Sequence, residues 1–381
     1  MKQCEPPTKR NGGSIQQHTP LEQALKTHFH WETRRLDFLA RFILALIQKQ
    51  TINLAKVARA LNLNVHPDSN QTRCARFIRE FEIDLEQIAT FLIQGLPARF
   101  DLLLDRTEHF LGKTSVNVLT FAAGVGQIRQ PLIWEHLGKT VSSDTSERKN
   151  LLKRLLKVLD PKCIQVLIAD REFIGIRWLA WLKNKRIPFV IRIRANTIIR
   201  IGPFKDHASR IFLRLKVGEV LNFRDCCVLM GVRGYISATR LETQELLIVF
   251  RSHQKLNGLE VYARRWGIEC LFKSFRTAGF NLSDSHVTQP ERVARLFVLL
   301  TLALTWAVRI GVVASRLEPI VVKSHGRAEF SVFRFGLDVL SEILLGSTRL
   351  MSFLQAVMVL FDTSVSELRP CYTRIPLSKS G

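Results

Sequence analysis

Three carboxylates stand where acids could hold a metal ion. Asp105 closes the apolar run 100–105, Asp170 follows the apolar run 164–169, and Glu269 lies on a predicted helix. A phosphodiester is a poor electrophile, and one solution uses two divalent ions about 3.5 to 4 Å apart that activate the attacking oxygen and stabilise the leaving one. Such hard cations prefer carboxylate oxygens. The three acids therefore predict metal-dependent phosphodiester chemistry.

Basic and aromatic residues surround Glu269 in the sequence. On a helix, Tyr262, Arg265, Glu269 and Arg276 fall at spacings of three and four and share one face, and Lys273 lies close to it. A carboxylate on such a face suits a metal ion beside a nucleic-acid backbone. The alternative is ordinary ion pairing on a solvated helix, which contributes little energy.

The elements that must position the two aspartates follow a recognisable order. The patterns predict strands at 100–105, at 116–123 and from Leu132, then a helix that begins with a capping box at Asp144. The nearly all-apolar run 164–169 is typical of a strand buried on both faces. Three strands, a helix and a buried fourth strand is the order of the ribonuclease-H-like fold. Its first and fourth strands are neighbours, which would bring the two aspartates together.

Hydrophobic periodicity and composition divide the whole chain into segments. The predicted segments are a mobile N-terminal tail, a helical DNA-binding domain, the first part of a catalytic core, a β-rich insertion, the second part of the core with the Glu-bearing helix, and a C-terminal helical region, at 1–20, 21–98, 99–188, 189–252, 253–315 and 316–381. This α/β organisation predicts a ribonuclease-H-like core interrupted by strands and flanked by helices.

The helical domain contains a candidate DNA-contacting motif. Residues 54–61 and 72–81 predict two helices, and the second interleaves Arg73, Arg76 and Arg79. The pair resembles a loose helix-turn-helix. An ordinary helical pair with solvated arginines is the alternative, because the loop between the two is long for that motif.

The charge balance points to a polyanionic partner. Lys and Arg total 56 against 33 Asp and Glu, a formal charge of +23. So many positive charges repel one another unless a polyanion binds and compensates for them, and nucleic acid is the leading candidate for that partner. The alternative is that the protein is simply basic and soluble.

Other features bear on membranes, location and metals. The apolar run 296–308 ends at Arg309 after 13 residues, whereas a membrane span needs about 20, so we expect a buried core helix and no membrane partner. The N-terminus has no apolar stretch that could act as a secretory signal, which predicts a cytoplasmic protein. Seven cysteines without a CxxC pair predict reduced thiols and make zinc an unlikely ligand.

Three short segments resemble one family of enzymes. They are Leu-Asp-Arg-Thr at 104–107, Ala-Asp-Arg-Glu-Phe at 169–173 and Tyr-Ala-Arg-Arg-Trp-Gly-Ile-Glu at 262–269. In this order they resemble DDE transposases of the insertion sequence 4 family of bacterial mobile elements. The last segment matches the family signature of Tyr, two residues, Arg, three residues, Glu, six residues and Lys, except that Arg276 stands where the family has Lys.

The resemblance implies an activity and the residues that carry it. It implies two Mg²⁺ or Mn²⁺ ions held by Asp105, Asp170 and Glu269, a homodimer on paired transposon ends, nicking by water, and joining of the freed 3′ end to target DNA. Tyr262 and Arg265 would grip phosphates beside the cleaved bond.

Further residues join the predicted DNA-binding set, and other functions stay open. Lys273 and Arg276 belong to the set, and Trp266 would stack on an unpaired base, with burial in the core as its alternative. Asp101 lies on the same predicted strand as Asp105, so the choice of Asp105 depends on the family likeness. A ribonuclease-H-like nuclease with another substrate and an inactive DNA-binding relic are the competing functions.

Overall fold

A computed structural model describes residues 18–61, 63, 65–111, 114–277, 279–324, 326–345, 350–361 and 370–374. Most of the predicted mobile tail lies outside these residues, and its last three residues already belong to the first helix, which begins at His18. The described residues form a mixed α/β structure with a large mixed sheet.

The N-terminal helices pack against the C-terminal ones. Their bounds are α1 His18–His28, α2 Thr33–Lys49, α3 Leu54–Ala60, α4 Pro67–Glu80 and α5 Leu85–Gln94. The apolar positions of α2 recur at spacings of three and four and are buried, and α2 contacts the later helices α11 (Pro290–Leu317) and α12 (Val332–Leu345). The buried side chains of these N-terminal helices belong to the same hydrophobic core as those of the sheet. The helical segment predicted as a domain therefore shares its core with the rest of the protein.

Helix α4 begins earlier than the sequence pattern predicts. The predicted start is Thr72, whereas the helix starts at Pro67 with His66 as its N-cap, whose ring accepts a hydrogen bond from the Asp68 amide. Proline suits the first helical position because its φ is already helical and its missing N–H has no helical partner there. The loop after α3 is shorter than predicted for the same reason.

The centre of the sheet has five strands: the first four occur in the predicted sequence order, whereas the fifth, at the start of the segment predicted as an insertion, belongs to the central sheet. They are β1 Phe100–Leu111, β2 Thr114–Val125, β3 Ile128–His136, β4 Ile164–Ala169 and β5 Phe189–Ile193. Their spatial order is β3-β2-β1-β4-β5, with β1, β2 and β3 antiparallel and β4 parallel to both β1 and β5. The predicted adjacency of the first and fourth strands is confirmed.

Helices connect these strands and cover the sheet. Helix α6 (Thr145–Leu155) begins with the predicted capping box, in which Asp144 and Glu147 exchange side-chain and backbone hydrogen bonds. A 3₁₀ turn, Pro161–Cys163, precedes β4, and another, Arg171–Phe173, follows it before α7 (Ile176–Asn184). The second 3₁₀ turn starts directly after Asp170.

The predicted insertion is mostly β, and it extends the same sheet. Its elements are β6 Ile198–Ile201, β7 Phe204–His207, α8 Ala208–Ile211, β8 Val220–Asn222, β9 Cys227–Leu229, β10 Val232–Arg240 and β11 Leu246–Arg251. β11 pairs with β5, and the order continues β11-β10-β9-β6-β7, with β8 on β10. The predicted turn at 231–234 lies instead at Met230–Gly231, where both residues have positive φ, as a two-residue hairpin turn requires.

The C-terminal part consists mainly of helices. Its elements are α9 Gly258–Ala263, α10 Trp266–Arg276, a 3₁₀ turn Leu282–Ser285, α11, β12 Ile320–Val322, α12, α13 Leu350–Phe361 and β13 Tyr372–Arg374. The two further helices predicted between 330 and 361 are α12 and α13. β12 and β13 pair with each other in parallel.

Helix α11 runs through the core of the protein. With 28 residues it is long and apolar enough to cross a membrane, yet 94% of its most apolar 18-residue window is buried within the structure. The prediction of a buried core helix is confirmed, and the helix continues beyond Arg309 to Leu317. Arg309 is itself buried, and its guanidinium donates to the Leu360 carbonyl of α13, which satisfies the charge inside the core.

Candidate active site

Asp105 and Asp170 lie side by side on neighbouring parallel strands. Leu104 of β1 is opposite Ala169 of β4, so the residue that follows each one occupies the same level of the sheet. Asp170 follows the last residue of β4, as predicted. Asp105 lies in the middle of β1 rather than at its end, because β1 continues beyond β4 as one arm of the hairpin with β2, where Asp105 is opposite Thr120.

The helix predicted to carry Glu269 is divided into α9 and α10. The amides of Arg264 and Arg265 donate to carbonyls three residues back, at Val261 and Tyr262, which makes the chain tighter than an α-helix at this junction. The side chains predicted to share one helical face therefore belong to two helices, with a turn at Arg264–Arg265 between them.

Arg129 anchors this turn to the sheet. It lies on β3, and its Nη2 donates to the Arg264 carbonyl at 2.9 Å. A Cβ at position 267 would lie 2.4 Å from Arg129 Nε, so Gly267 is required for the guanidinium to pass beneath α10. Arg129 was not among the predicted site residues, since nothing in its local sequence connects it with a residue 135 positions later.

Arg265 joins two of the three predicted acids. Its Nη1 donates to Asp105 Oδ2 at 2.8 Å, and its Nη2 donates to Glu269 Oε1 at 2.5 Å. The Arg265 side chain is only 13% exposed. Charge-assisted hydrogen bonds in such a buried place are strong, so Arg265 holds the β1 carboxylate and the α10 carboxylate on either side of one guanidinium.

Tyr262 holds the remaining acid. Its hydroxyl donates to Asp170 Oδ1 at 2.9 Å, and its ring lies 5.7 Å from the Arg265 guanidinium carbon. Burial raises the pKa of the Tyr262 phenol from 10 to about 12, so the phenol, which is protonated at neutral pH, also stays protonated and able to donate in moderately alkaline solution. Tyr262 and Arg265 were predicted to contact phosphates, and here both contact carboxylates.

Asp105 has a shifted pKa in the carboxylate site, which we define as Asp105, Asp170 and Glu269. Burial, which is the largest cause, and the nearby Glu172 and Asp170 raise the pKa of Asp105, while Arg265 and the Arg106 amide lower it, and the net result is a pKa of about 6. Burial lowers the pKa of Arg265, but Tyr262, Asp105 and Asp170 together raise it above its ordinary value. Arg265 is therefore a permanent cation beside Asp105, whose burial opposes ionisation.

A second ion-pair cluster lies beside the carboxylate site. Arg106 donates to Glu172 Oε2 at 3.3 Å, to Glu108 and to Asn117, and Ser142 also donates to Glu172. Arg106 and Glu172 both belong to the segments that carry the family resemblance, but neither was predicted to have a role. Only their closeness in sequence to Asp105 and Asp170 could have pointed to them.

Asp101 and Asp105 have different partners. Asp101 Oδ2 accepts from Arg264 Nη1 at 3.1 Å, so the two aspartates of β1 form parallel ion pairs with the two consecutive arginines of the α9–α10 turn. Asp105, one position beyond the end of the β1–β4 pairing, is the one level with Asp170. Position in the sheet thus separates two acids that looked alike in the sequence.

Three predicted DNA-contacting residues have no contact with the carboxylates. Trp266 is 66% exposed, so the alternative that placed it in the core is wrong. Lys273 lines a separate cavity of about 370 Å³ with Gly267 and Phe333. Neither Lys273 nor Arg276 forms a side-chain ion pair within the part of the chain that the structure describes.

The three carboxylates of the site are ligands that a hard metal ion prefers. In the structure, the positive charge beside them is the Arg265 guanidinium. Across the described ranges, no group of three His, Cys, Asp or Glu side chains is placed to hold a metal ion. The guanidinium between Asp105 and Glu269 separates two of the candidate ligands. The buried Asp105 carboxylate is stabilised in its ionised form by positive charge nearby, which a divalent ion would also provide.

Comparison with known proteins identifies a domain. Residues 130–306 match the family model described as the transposase DDE domain, a segment that includes Asp170 and Glu269 but not Asp105. No curated protein sequence matches the chain. One similar solved structure is a cryo-EM structure of the piggyBac transposase synaptic complex with hairpin DNA, at 11% identity, with a TM-score of 0.39 over 85% of this chain and 76% of that chain. That likeness is too weak to establish a shared fold. The domain match supports a transposase of the DDE type.

Proposed function

We propose that this protein is a metal-dependent transposase of the insertion sequence 4 family, which nicks DNA at transposon ends and joins the freed 3′ end to target DNA. The observation that carries the proposal is the level placement of Asp105 and Asp170 on adjacent parallel strands, with Glu269 joined to Asp105 through Arg265. The matching DDE domain contains two of these three acids.

The strand order supports a ribonuclease-H-like core within this proposal. The first and fourth strands, β1 and β4, are neighbours within the order β3-β2-β1-β4-β5, and this adjacency is the one predicted for that fold. The strands β6 to β11 then form the insertion between the second Asp and the Glu. Because β11 pairs with β5 and the insertion extends the sheet from there, a long insertion still leaves Asp170 close to α9, where Tyr262 donates to it.

Asp105, Asp170 and Glu269 would hold Mg²⁺ or Mn²⁺, two ions for each active site. When bound, such ions activate an attacking water and stabilise the leaving oxygen of the phosphodiester. Tyr262 keeps Asp170 oriented through its hydrogen bond. Arg265 is ion-paired with both Asp105 and Glu269, and if metal ions took over this role its guanidinium fork would be available for a DNA phosphate.

Other surfaces of the chain fit a DNA partner. Arg73 and Arg76 of α4 are exposed, and the shortened loop before α4 brings the pair α3–α4 nearer to a helix-turn-helix. Trp266, exposed three residues before Glu269, is available to stack on a base. We expect two copies to act on paired transposon ends in the bacterial cytoplasm, which light scattering of the DNA complex would test.

A cleavage assay tests the proposed activity. The substrate is a labelled duplex that carries the short inverted repeats flanking the coding region, incubated with the full chain and Mg²⁺. We expect nicking at the repeat boundary, and we expect Asp105→Asn, Asp170→Asn and Glu269→Gln each to abolish it. Asp101→Asn is the matched control, because Asp101 lies on the same strand but is paired with Arg264, and it should retain nicking.

Two outcomes would contradict the proposal. If Asp170→Asn nicks as fast as the wild type, the carboxylate site is not the active site. If the wild type cleaves an RNA–DNA hybrid but leaves repeat-containing duplexes intact, the protein is a nuclease of another class. Absence of inverted repeats beside the coding region would likewise favour a nuclease of another class over a transposase.

A further inference from the structure

A basic cleft opens beside the carboxylate site. It has a volume of about 810 Å³ and lies between the 3₁₀ turn that follows Asp170 and the strands β6, β7 and β9. We call it the basic cleft and define it by four cations and two apolar residues, Arg171, Arg194, Arg200, Lys205, Ile198 and Met230. None of these residues entered the sequence prediction of DNA contacts.

Three cations of the cleft have no internal counter-charge. Arg194, Arg200 and Lys205 are exposed, and none of the three forms a side-chain ion pair with a residue that the structure describes. Arg171 shares Glu245 with Arg192. The cleft is therefore a concentration of positive charge that is left open to solvent, as expected of a surface that receives a polyanion.

Among the described residues that line the cleft, the one acid does not cancel this charge. Glu172 accepts hydrogen bonds from Arg106 and Ser142, so its charge is already paired away from the cleft cations. The net charge that the cleft offers to a ligand is positive. A free cation or a positively charged peptide segment is thereby disfavoured as an occupant.

Apolar side chains are exposed among these cations. Ile198 and Met230 are 48% and 41% exposed, and both line the cleft. A free phosphate ion would make no favourable contact with these apolar side chains, whereas the flat face of a nucleobase packs well against them. Only unpaired nucleotides present that face, because in a duplex the bases are stacked on each other.

We propose that the basic cleft binds unpaired nucleotides of the DNA strand that passes the carboxylate site. This inference rests on the proposed function, which places the cleaved phosphodiester at Asp170. Arg171 and Glu172 follow Asp170 directly and line the cleft, so a strand in the cleft is continuous with one at the carboxylates. Arg194, Arg200 and Lys205 contact its phosphates, and Ile198 and Met230 contact its bases.

Binding measurements without metal test the cleft separately from catalysis. Fluorescence anisotropy in EDTA compares a blunt duplex with the same duplex carrying a three-nucleotide unpaired tail. We expect the wild type to prefer the tailed duplex. The double variant Arg194→Ala/Arg200→Ala should lose about tenfold in affinity for the tailed duplex, whereas its affinity for the blunt duplex should change little. The reason is that the cleft contacts only the phosphates and bases of the unpaired tail.

The matched control removes the same charge from the same insertion outside the cleft. Arg214 and Lys216 are exposed and do not line the cleft, so Arg214→Ala/Lys216→Ala should keep the preference for the tail. Arg194→Lys/Arg200→Lys, which retains the charge, should keep most of it. Circular dichroism melting of each variant checks that the insertion is folded.

The apolar residues have their own test. Ile198→Ser/Met230→Ser should reduce the preference for the tail without changing its dependence on salt, because this variant removes base contacts and no charge. An unchanged preference in this variant, or an equal loss on blunt and tailed duplexes in Arg194→Ala/Arg200→Ala, overturns the proposal. A wild type that prefers the tail but never nicks repeat-containing DNA overturns the proposed function and leaves the binding result intact.

Discussion

The carboxylate site and the basic cleft adjoin each other, and they treat charge in opposite ways. At the carboxylate site, Arg265 pairs with Asp105 and Glu269 within the protein. In the cleft, Arg194 and Arg200 find no ion-pair partner among the described residues. A buried charge must be neutralised inside the fold because its desolvation is costly, while an exposed charge stays hydrated until a ligand arrives. The first region is thus assembled before any ligand binds, and the second is complete only with one.

The largest expected effect separates the two regions by catalysis. Asp170→Asn would remove one of the proposed metal ligands, and metal-ion catalysis contributes several kcal/mol to transition-state stabilisation. A loss of about 4 kcal/mol corresponds to a rate roughly a thousandfold lower. Single-turnover nicking of a repeat-containing duplex measures this rate. Arg194→Ala/Arg200→Ala, in the cleft, should lower the nicking rate far less at saturating DNA. An equal loss of rate would show that the cleft arginines take part in catalysis and that the two regions form a single site.

The next effect concerns the stability of the carboxylate site. Arg265→Ala leaves Asp105 buried without its partner, which costs about 3 to 5 kcal/mol in comparable buried pairs. Arg264→Ala breaks the neighbouring pair with Asp101, but the Arg264 side chain is 37% exposed, so we expect a loss of about 1 kcal/mol or less. Urea unfolding in EDTA gives both values. Similar losses in the two variants would show that Arg265 is not the main counter-charge.

Removal of cations from the cleft should raise stability slightly or leave it unchanged, and should act instead on the salt dependence of binding. Each phosphate contact to a single strand contributes about 0.7 to the slope of log affinity against log salt concentration. Arg194→Ala/Arg200→Ala should therefore reduce the slope for the tailed duplex by about 1.4. Anisotropy titrations from about 50 to about 200 mM salt measure it, and an unchanged slope would show that these arginines contact no phosphate.

The smallest expected effect is on pH dependence. Burial raises the pKa of Asp101 above its ordinary value of 3.8, although Arg264 lowers it in part. A carboxyl whose pKa is raised on folding stabilises the protein below the unfolded pKa, and this contribution is lost as pH rises through the folded pKa. The free energy of unfolding of the wild type relative to Asp101→Asn should therefore fall as pH rises from about 3.8. Parallel pH profiles of the two proteins would contradict the shift.

Much of the carboxylate site could be predicted from local patterns. The apolar run before Asp170 predicted a buried strand, and the order of strands predicted its adjacency to β1, because both depend on short-range periodicity and on a small number of allowed sheet topologies. Glu269 was selected by its neighbours at helical spacing. Element boundaries were less certain, since β1 extends past Asp105 through pairing with β2, and α4 starts at Pro67.

By itself, the sequence determined which acids could hold a metal, that strands and helices alternate around them, and that the chain carries excess positive charge. Only the tertiary structure decided that Arg265 lies between Asp105 and Glu269, that Arg129 passes beneath Gly267, and that Arg194 and Arg200 face a cleft without partners. Ion pairs, close approaches and cavities depend on which distant elements meet. Local propensity does not predict these contacts, because it depends only on residues that are close together in the sequence.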